Sequence, residues 1–283
     1  MSVVLITGCG SGMGAATALH LAQNGDHVFA GMRRPESAAD LQAIAARDCL
    51  SLSVLVFDVT SPNQVITAVE KVISSAGRID ALVNNAGMSL GWTALEETSD
   101  EDAKSIFELN FFSPLRLIRA VLPTMRAQRS GTIVNVSAMA SVAPRPYLSI
   151  YSASKGALDA VSFSLAAEVR EFGIRVVVIA PGSFRTESHR KWTPPSIDTG
   201  VERYRAVTTQ KREETAAKKS VRGGDPKDVA KVIGECLHAD NPPIRLFVGD
   251  DSQRLASQRR AQTDEEYVLS LGALLEVPES AKK

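Results

Sequence analysis

The chain contains few residues of the kinds that hold metals or disulfides. Its 283 residues include three cysteines, Cys9, Cys49 and Cys236, and four histidines. The cysteines are widely spaced, odd in number and without a CxxC pair, so we expect reduced thiols rather than a disulfide framework or a zinc site. The histidines show no HxxxH or HxH spacing, which argues further against a metal site.

A long apolar run and an excess of charge are also absent. No hydrophobic stretch approaches the roughly 18 residues that a membrane span needs. The apolar run Val3–Ile6 has no basic lead and no cleavage site, so we expect no signal peptide. Lys+Arg and Asp+Glu number 32 each, which gives no electrostatic reason to expect nucleic acid or an anionic membrane as partner. These absences predict a soluble, cytoplasmic protein.

The sequence does contain short apolar runs that alternate with amphipathic stretches. The apolar runs predict strands at 3–7, 27–32, 52–57, 81–84, 132–137, 175–179 and 244–248. The amphipathic stretches predict helices at 12–24, 36–47, 61–76, 99–128, 149–172 and 227–238. Continuous Val/Ile/Leu runs are typical of strands buried on both faces. The pattern therefore predicts an α/β fold with a doubly wound (Rossmann) parallel sheet, which binds ligands at the carboxyl ends of its strands.

The pattern changes after Pro181. We expect residues 1–250 to form one domain, and 251–283 to add a helical extension to that same domain. Within the domain, residues 187–222 are polar and charged. Long irregular segments in compact domains are usually lids or disordered, so this pattern predicts a mobile insertion over the site. A solvated helical decoration is the open alternative.

A glycine-rich segment follows the first predicted strand and opens the first predicted helix. Glycines allow a tight turn and a close approach to a pyrophosphate, and a helix N-terminus offers unpaired N–H groups and a positive dipole end. The segment is not a GxGxxG motif, and a plain connection is the alternative, but its position favours a dinucleotide site. The candidate cofactor contacts are Gly8, Gly10, Ser11, Gly12 and Met13.

The end of the second strand lacks the acid that usually holds an NAD ribose. Met32, Arg33 and Arg34 stand there instead. A missing carboxylate avoids repulsion with a 2′-phosphate, and a guanidinium can pair with that phosphate. The sequence therefore favours NADP(H), with Ser11 and Arg33 as phosphate contacts, although two solvated surface arginines are the alternative.

Several motifs in order resemble the short-chain dehydrogenase/reductase family over about residues 3–250. They are TGxxxGxG at Thr7, Gly8, Gly12 and Gly14, then Asp58-Val59, Asn84-Asn85-Ala86-Gly87, Asn110, Tyr151 with Lys155, and Pro181-Gly182 with Thr186. The resemblance implies further cofactor contacts at Asp58, Val59, Asn85, Ala86, Gly87, Tyr151, Lys155, Pro181, Gly182 and Thr186. For Asp58, a helix N-cap is the alternative.

Tyr151 and Lys155 are four residues apart, so they share one face of a helix. A free tyrosine has a pKa of about 10. A nearby ammonium lowers that pKa, which makes Tyr151 a candidate general acid/base. The resemblance implies that Lys155 also bonds the nicotinamide ribose and that Asn110 holds a proton-relaying water.

The family's catalytic serine is missing, because the corresponding position holds Ala138. Ser137 is its neighbour, and adjacent strand residues point to opposite faces. An oxyanion-type donor of this kind contributes on the order of 10²–10³ in rate. Three alternatives stay open: an engineered alanine, replacement by Ser137 or Ser141 through a local irregularity, or a weakly catalytic, dinucleotide-binding member of the family.

Apolar and aromatic residues follow the strands and predict a largely apolar pocket. They are Met88, Ser89, Leu90, Trp92, Met139, Val142, Tyr147, Phe184 and Trp192. The predicted function is NADP(H)-dependent interconversion of a bulky apolar or aromatic secondary alcohol and its ketone. The alternative is an NADP(H)-binding sensor. Segments 27–34 and 225–230 are similar to the 17β-hydroxysteroid and retinol dehydrogenase branch, and the resemblance implies a homodimer or homotetramer.

Overall fold

The computed structural model describes residues 1–186, 194–221, 223–272 and 275. The strands are β1 (Val3–Ile6), β2 (His27–Met32), β3 (Leu52–Val56), β4 (Ala81–Asn84), β5 (Gly131–Val136), β6 (Ile174–Pro181) and β7 (Arg245–Val248). They form one parallel sheet in the order β3-β2-β1-β4-β5-β6-β7. The order reverses between β1 and β4, and a crevice for a ligand opens at the carboxyl ends of strands at such a point. The predicted doubly wound fold is confirmed.

Helices cover both faces of the sheet. They are α1 (Gly12–Gln23), α2 (Ala39–Arg47), α3 (Pro62–Ala76), α4 (Asp100–Phe107), α5 (Ser113–Gln128), α6 (Ser149–Glu168), α7 (Glu202–Val221), α8 (Pro226–His238), α9 (Asp250–Arg260) and α10 (Asp264–Gly272). Alternate residues of β1 divide the core: Val4 and Ile6 pack with α1 and α8, whereas Val3 and Leu5 pack with α3 and α5. Burial of both faces explains the continuous apolar runs.

The predicted helix over 99–128 is interrupted by a π-helical turn, Glu108–Phe112. Pro114 has no N–H, so it cannot donate the regular helical bond to the carbonyl of Asn110. The N–H and the hydroxyl of Ser113 both donate to the carbonyl of Glu108, five residues back. Single π-turns of this kind are frequent at functional sites, and this one contains a predicted site residue.

The expectation of an irregular segment over 187–222 is wrong for its second half, where α7 is helical. The indole Nε1 of Trp92 donates to Thr215 at 3.0 Å, and the ring of Tyr204 packs edge-on against Tyr147. The Trp92 contact attaches α7 to the loop after β4, and the Tyr147 contact attaches it to the loop between β5 and α6. The first part of the segment, 187–193, lies outside the described residues and includes Trp192.

The described helices include none long and apolar enough to cross a membrane. Within the same residues, His, Cys, Asp and Glu side chains form no group that could hold a metal ion.

Candidate active site

The glycine-rich loop after β1 is shaped by contact with the loop after β4. Gly8 and Gly12 have positive φ angles of 74° and 60°. A Cβ on Gly8 would lie 2.9 Å from the Cα of Ala86, and one on Gly14 would lie 2.3 Å from the carbonyl oxygen of Gly8. Side chains at these positions would collide with backbone, so the glycines hold the two loops together.

Thr7 and Asn85 fasten this contact. The Thr7 hydroxyl accepts from the N–H groups of Asn85 and Ala86, each at 3.1 Å. The amide of Asn85 donates to the carbonyl of Thr7 at 2.9 Å. The Asn85 side chain therefore positions the loop, a role that sequence reasoning missed, and its predicted contact with the cofactor stays a prediction.

The N-terminus of α1 has the features of an anion site. Ser11 is exposed and makes no side-chain capping bond, and the first turn has no acidic residue. The N–H groups of a first helical turn have no partner within the helix, and the dipole there favours negative charge. Met13 instead packs its side chain against the core, so its predicted contact would use its backbone.

Gly10 and Arg33 lie on the β2 side of the crevice. A Cβ on Gly10 would lie 3.0 Å from the Cβ of Ser37, so the chain after β2 passes close to the loop. Arg33 is exposed and makes no ion pair with any described residue, whereas Arg34 lies 3.9 Å from Glu36. A free guanidinium beside an uncapped helix N-terminus suits a phosphorylated ribose.

Asp58 is not the helix N-cap, because α3 is capped at Ser61. Its Oδ1 accepts from the N–H and the hydroxyl of Thr60, at 2.9 and 2.7 Å. Val59 is buried in the core. Asp58 thus forms a tight polar turn at the carboxyl end of β3, beside the crevice.

The predicted catalytic residues meet around Gly87. A Cβ on Gly87 would lie 3.1 Å from Oδ1 of Asn110 and 3.3 Å from Nζ of Lys155. Asn110 is fully buried, accepts from the N–H of Met88 at 2.9 Å and donates to the carbonyl of Met88 at 2.9 Å and to Ser154 at 3.0 Å. Its side chain is therefore committed to holding the loop after β4.

Lys155 is buried, and its ammonium donates to the carbonyl of Val136, at the end of β5, at 2.8 Å. Burial lowers its pKa to about 8, and the nearby carboxylate of Asp159 opposes that shift. Burial raises the pKa of Tyr151 to about 12. The expected lowering of the Tyr151 pKa is not seen in this structure, because desolvation penalises the phenolate.

Ala138 is buried directly after β5. The N–H of Ser137 donates to the carbonyl of Ile179 in β6 at 2.7 Å, and its buried hydroxyl has no hydrogen-bond partner in the described chain. The hydroxyl of Ser141 lies 2.6 Å from the carboxylate of Asp159. Ser141 is therefore engaged by Asp159, and replacement of the missing serine by Ser137 or Ser141 stays a prediction.

The segment after β6 completes the crevice. Pro181 ends β6, and a Cβ on Gly182 would lie 1.8 Å from the carboxylate of Asp251. That carboxylate accepts from the N–H of Ser183 at 2.8 Å. The same segment brings Thr186 to Gly12, where a Cβ would lie 3.2 Å from the threonine methyl. Asp251 belongs to the C-terminal extension, and no sequence motif marked it.

The predicted pocket residues are divided between the site and the core. A small cavity at Tyr151 is lined by Ser89, Leu90, Gly91, Thr93, Thr98, Ile106, Tyr147, Leu148, Ser149 and Ile150. Tyr147 has a positive φ of 63°, a strained conformation that clusters at functional sites. Phe184, in contrast, packs into the core. The expectation that it lines the substrate pocket is wrong.

Comparisons with known proteins agree with this geometry. The family model described as short chain dehydrogenase matches residues 2–196. A curated 3-ketodihydrosphingosine reductase from Bacteroides thetaiotaomicron is 34% identical over 264 residues, which are 92% of each chain.

Two solved structures extend the likeness to three dimensions. A short-chain dehydrogenase from Streptomyces avermitilis is 32% identical, with a TM-score of 0.79 over 96% of this chain and 98% of that one. A gluconate 5-dehydrogenase from Burkholderia cenocepacia, solved with NADP and tartrate, is 26% identical, with a TM-score of 0.74 over 89% and 95% of the two chains. None of these matches singles out the 17β-hydroxysteroid or retinol dehydrogenase branch, which stays a prediction. The chain belongs to the short-chain dehydrogenase/reductase family.

Proposed function

We propose that the protein is an NADP(H)-dependent oxidoreductase that reduces a bulky apolar or aromatic ketone to its secondary alcohol. The observation that carries this proposal is the meeting of Asn110, Lys155 and the Met88 loop around Gly87, beside the glycine-rich crevice. Tyr151 lies one helical turn before Lys155 and lines the small cavity beside the loop after β4, where a substrate could reach it.

The crevice fits a phosphorylated dinucleotide. The glycine-rich loop after β1 leaves no room for a Cβ at its glycines. The N-terminus of α1 has no side-chain cap, and Arg33 makes no ion pair with the described residues. The NADP in the gluconate 5-dehydrogenase supports this choice of cofactor. A bound nicotinamide would supply the hydride. Arg33 and Ser11 would hold its 2′-phosphate, and Lys155 its nicotinamide ribose.

The proton would come from Tyr151. Burial raises the pKa of Tyr151 to about 12, so the residue keeps its proton at neutral pH but is a weaker acid than a free tyrosine. Donation of the proton to a substrate oxygen therefore depends on stabilisation of the phenolate. Lys155 would stabilise the phenolate left behind, and its hydrogen bond to Val136 fixes its ammonium in place. Asn110 would keep the loop after β4 in position.

Ketone reduction is tested by following NADPH consumption against a panel of cyclic and aromatic ketones, with Tyr151→Phe as the matched control. Turnover by the parent chain and none by the variant is expected. Equal turnover by both would refute the role of Tyr151.

The absence of a hydroxyl at position 138 favours a second candidate, an NADP(H)-binding sensor with little turnover. The buried Ala138 and the committed Ser141 leave the substrate oxygen without the family's usual donor. The sensor would be supported if the parent chain bound NADPH tightly and consumed none of the ketones.

We propose further that the protein is a cytoplasmic homodimer or homotetramer associated through the helices near Asn110 and Tyr151. Phe112, at the end of the π-turn, is 46% exposed, and Phe163 on α6 is 39% exposed. Light scattering on the purified protein gives its mass, and a monomer at micromolar concentration would refute the association.

A further inference from the structure

A buried ionic cluster lies one turn beyond Lys155 on α6. Its centre is Asp159, which is 3% exposed. The Oδ2 atom of Asp159 accepts from Nη2 of Arg245, on β7, at 2.8 Å. The same oxygen lies 2.6 Å from the hydroxyl of Ser141, in the turn that follows Ala138. One carboxylate thus joins α6, β7 and the loop after β5.

This cluster adds little net stability to the fold, because it leaves polar atoms buried. Oδ1 of Asp159 and Nε of Arg245 are buried without a hydrogen-bond partner among the described residues. Desolvation of a buried pair often cancels its Coulomb attraction, so apolar residues of equal size would serve stability at least as well. The arrangement points to a role for the negative charge itself.

The basic residue of α6 is Lys155, one helical turn before Asp159 and on the same face of the helix. Its ammonium is buried and has a hydrogen bond to the carbonyl of Val136. On its own helix, Tyr151 lies one turn before Lys155 and Asp159 one turn after it, whereas Gly87 and Asn110, near its ammonium, are neutral. Arg245 on β7 contacts Asp159. Burial disfavours the ammonium, and Asp159 opposes that effect. Arg245 neutralises part of the Asp159 charge.

We propose that Asp159 is a positioning residue, which keeps the Lys155 ammonium charged and fixes the turn after Ala138 through Ser141. This role rests on the proposed function, in which Lys155 holds the nicotinamide ribose. Arg245 then favours the ionised form of Asp159 by pairing with it. Removing the carboxylate should therefore change the pH at which Lys155 loses its charge, which a purely structural role would not do.

The test is NADPH affinity from pH 6.5 to 9.5, followed by nicotinamide fluorescence. In the parent chain, affinity should fall as pH rises through about 8, because Lys155 loses its charge. Asp159→Asn should move this midpoint down by about one pH unit, which weakens binding about fivefold at pH 8 and little at pH 6.5.

Two controls keep the test decisive. Lys155→Met should abolish the transition near pH 8. The double variant Asp159→Asn with Arg245→Met removes both charges, so it serves if the single variant fails to fold, and it should also move the midpoint down. An unchanged midpoint in the folded Asp159 variants, or a flat profile in the parent chain, would overturn the role of Asp159. No NADPH binding by the parent chain at any pH would overturn the proposed function first.

Discussion

A hydroxyl restored by Ala138→Ser should raise ketone reduction by about 10²- to 10³-fold, the contribution of one oxyanion-type donor. Ala138 has an extended backbone, with φ of −158° and ψ of 158°, which serine adopts without strain. The residue is 7% exposed, so the new hydroxyl is shielded from water until a substrate oxygen accepts its hydrogen bond. An unpaired buried hydroxyl costs about 1–3 kcal/mol, so the melting temperature should fall slightly.

The assay compares NADPH consumption by the parent chain, Ala138→Ser and Ser137→Ala with the same ketones. Ser137→Ala is the matched control, because that hydroxyl has no hydrogen-bond partner in the described chain, and it should leave turnover unchanged. Equal turnover by the parent chain and Ala138→Ser would refute the reasoning, since another donor must then serve the substrate oxygen. Loss of turnover in Ser137→Ala would identify that donor.

Three further variants test the remaining parts of the site. Tyr151→Phe should abolish turnover and leave NADPH affinity almost unchanged, and a large loss of affinity in titrations would contradict its role as proton donor. Arg33→Ala should weaken NADPH binding by about 1.5–3 kcal/mol, the strength of a charge-assisted bond, and spare NADH; equal losses for both cofactors would refute the phosphate contact. Gly14→Ala places a Cβ 2.3 Å from the carbonyl oxygen of Gly8, so thermal melting should show a loss of about 1–3 kcal/mol from overpacking. An unchanged melting temperature would mean that the glycine-rich loop can move away from the start of α1 at little cost.

The strands could be predicted closely because each is a short apolar run buried on both faces. The interruption of the predicted helix at 99–128 was missed, although Pro114 is a visible signal: it removes the N–H that the carbonyl of Asn110 needs. Helix α7 was predicted only as the alternative to an irregular insertion, for another reason. Its sequence is polar, and its attachment depends on Trp92 and Tyr204, whose partners are distant in the sequence.

The residues of the candidate site could be predicted from the sequence, but their electrostatic properties could not. The spacing of Tyr151 and Lys155 indicates that they lie close together, but it does not show how deeply they are buried. Burial raises the pKa of Tyr151 and lowers the pKa of Lys155, so it disfavours the charged form of each. Asp251 and the contact between Asp159 and Arg245 escaped notice because the partners are far apart in the sequence. Such partners appear only when the chain is folded.

A substitution at position 138 can change how the site treats a substrate without changing how it holds the cofactor. Asn110, Lys155 and the glycine loops are joined to one another through Gly87 and Asn85, and none of these contacts passes through the side chain of Ala138. The alanine can therefore lower turnover without lowering cofactor affinity or moving Tyr151. A reductase and a sensor would share the same cofactor site, and they would differ in whether a substrate oxygen finds a hydrogen-bond donor. Parallel measurement of NADPH affinity and turnover in Ala138→Ser separates the two, because only turnover should respond.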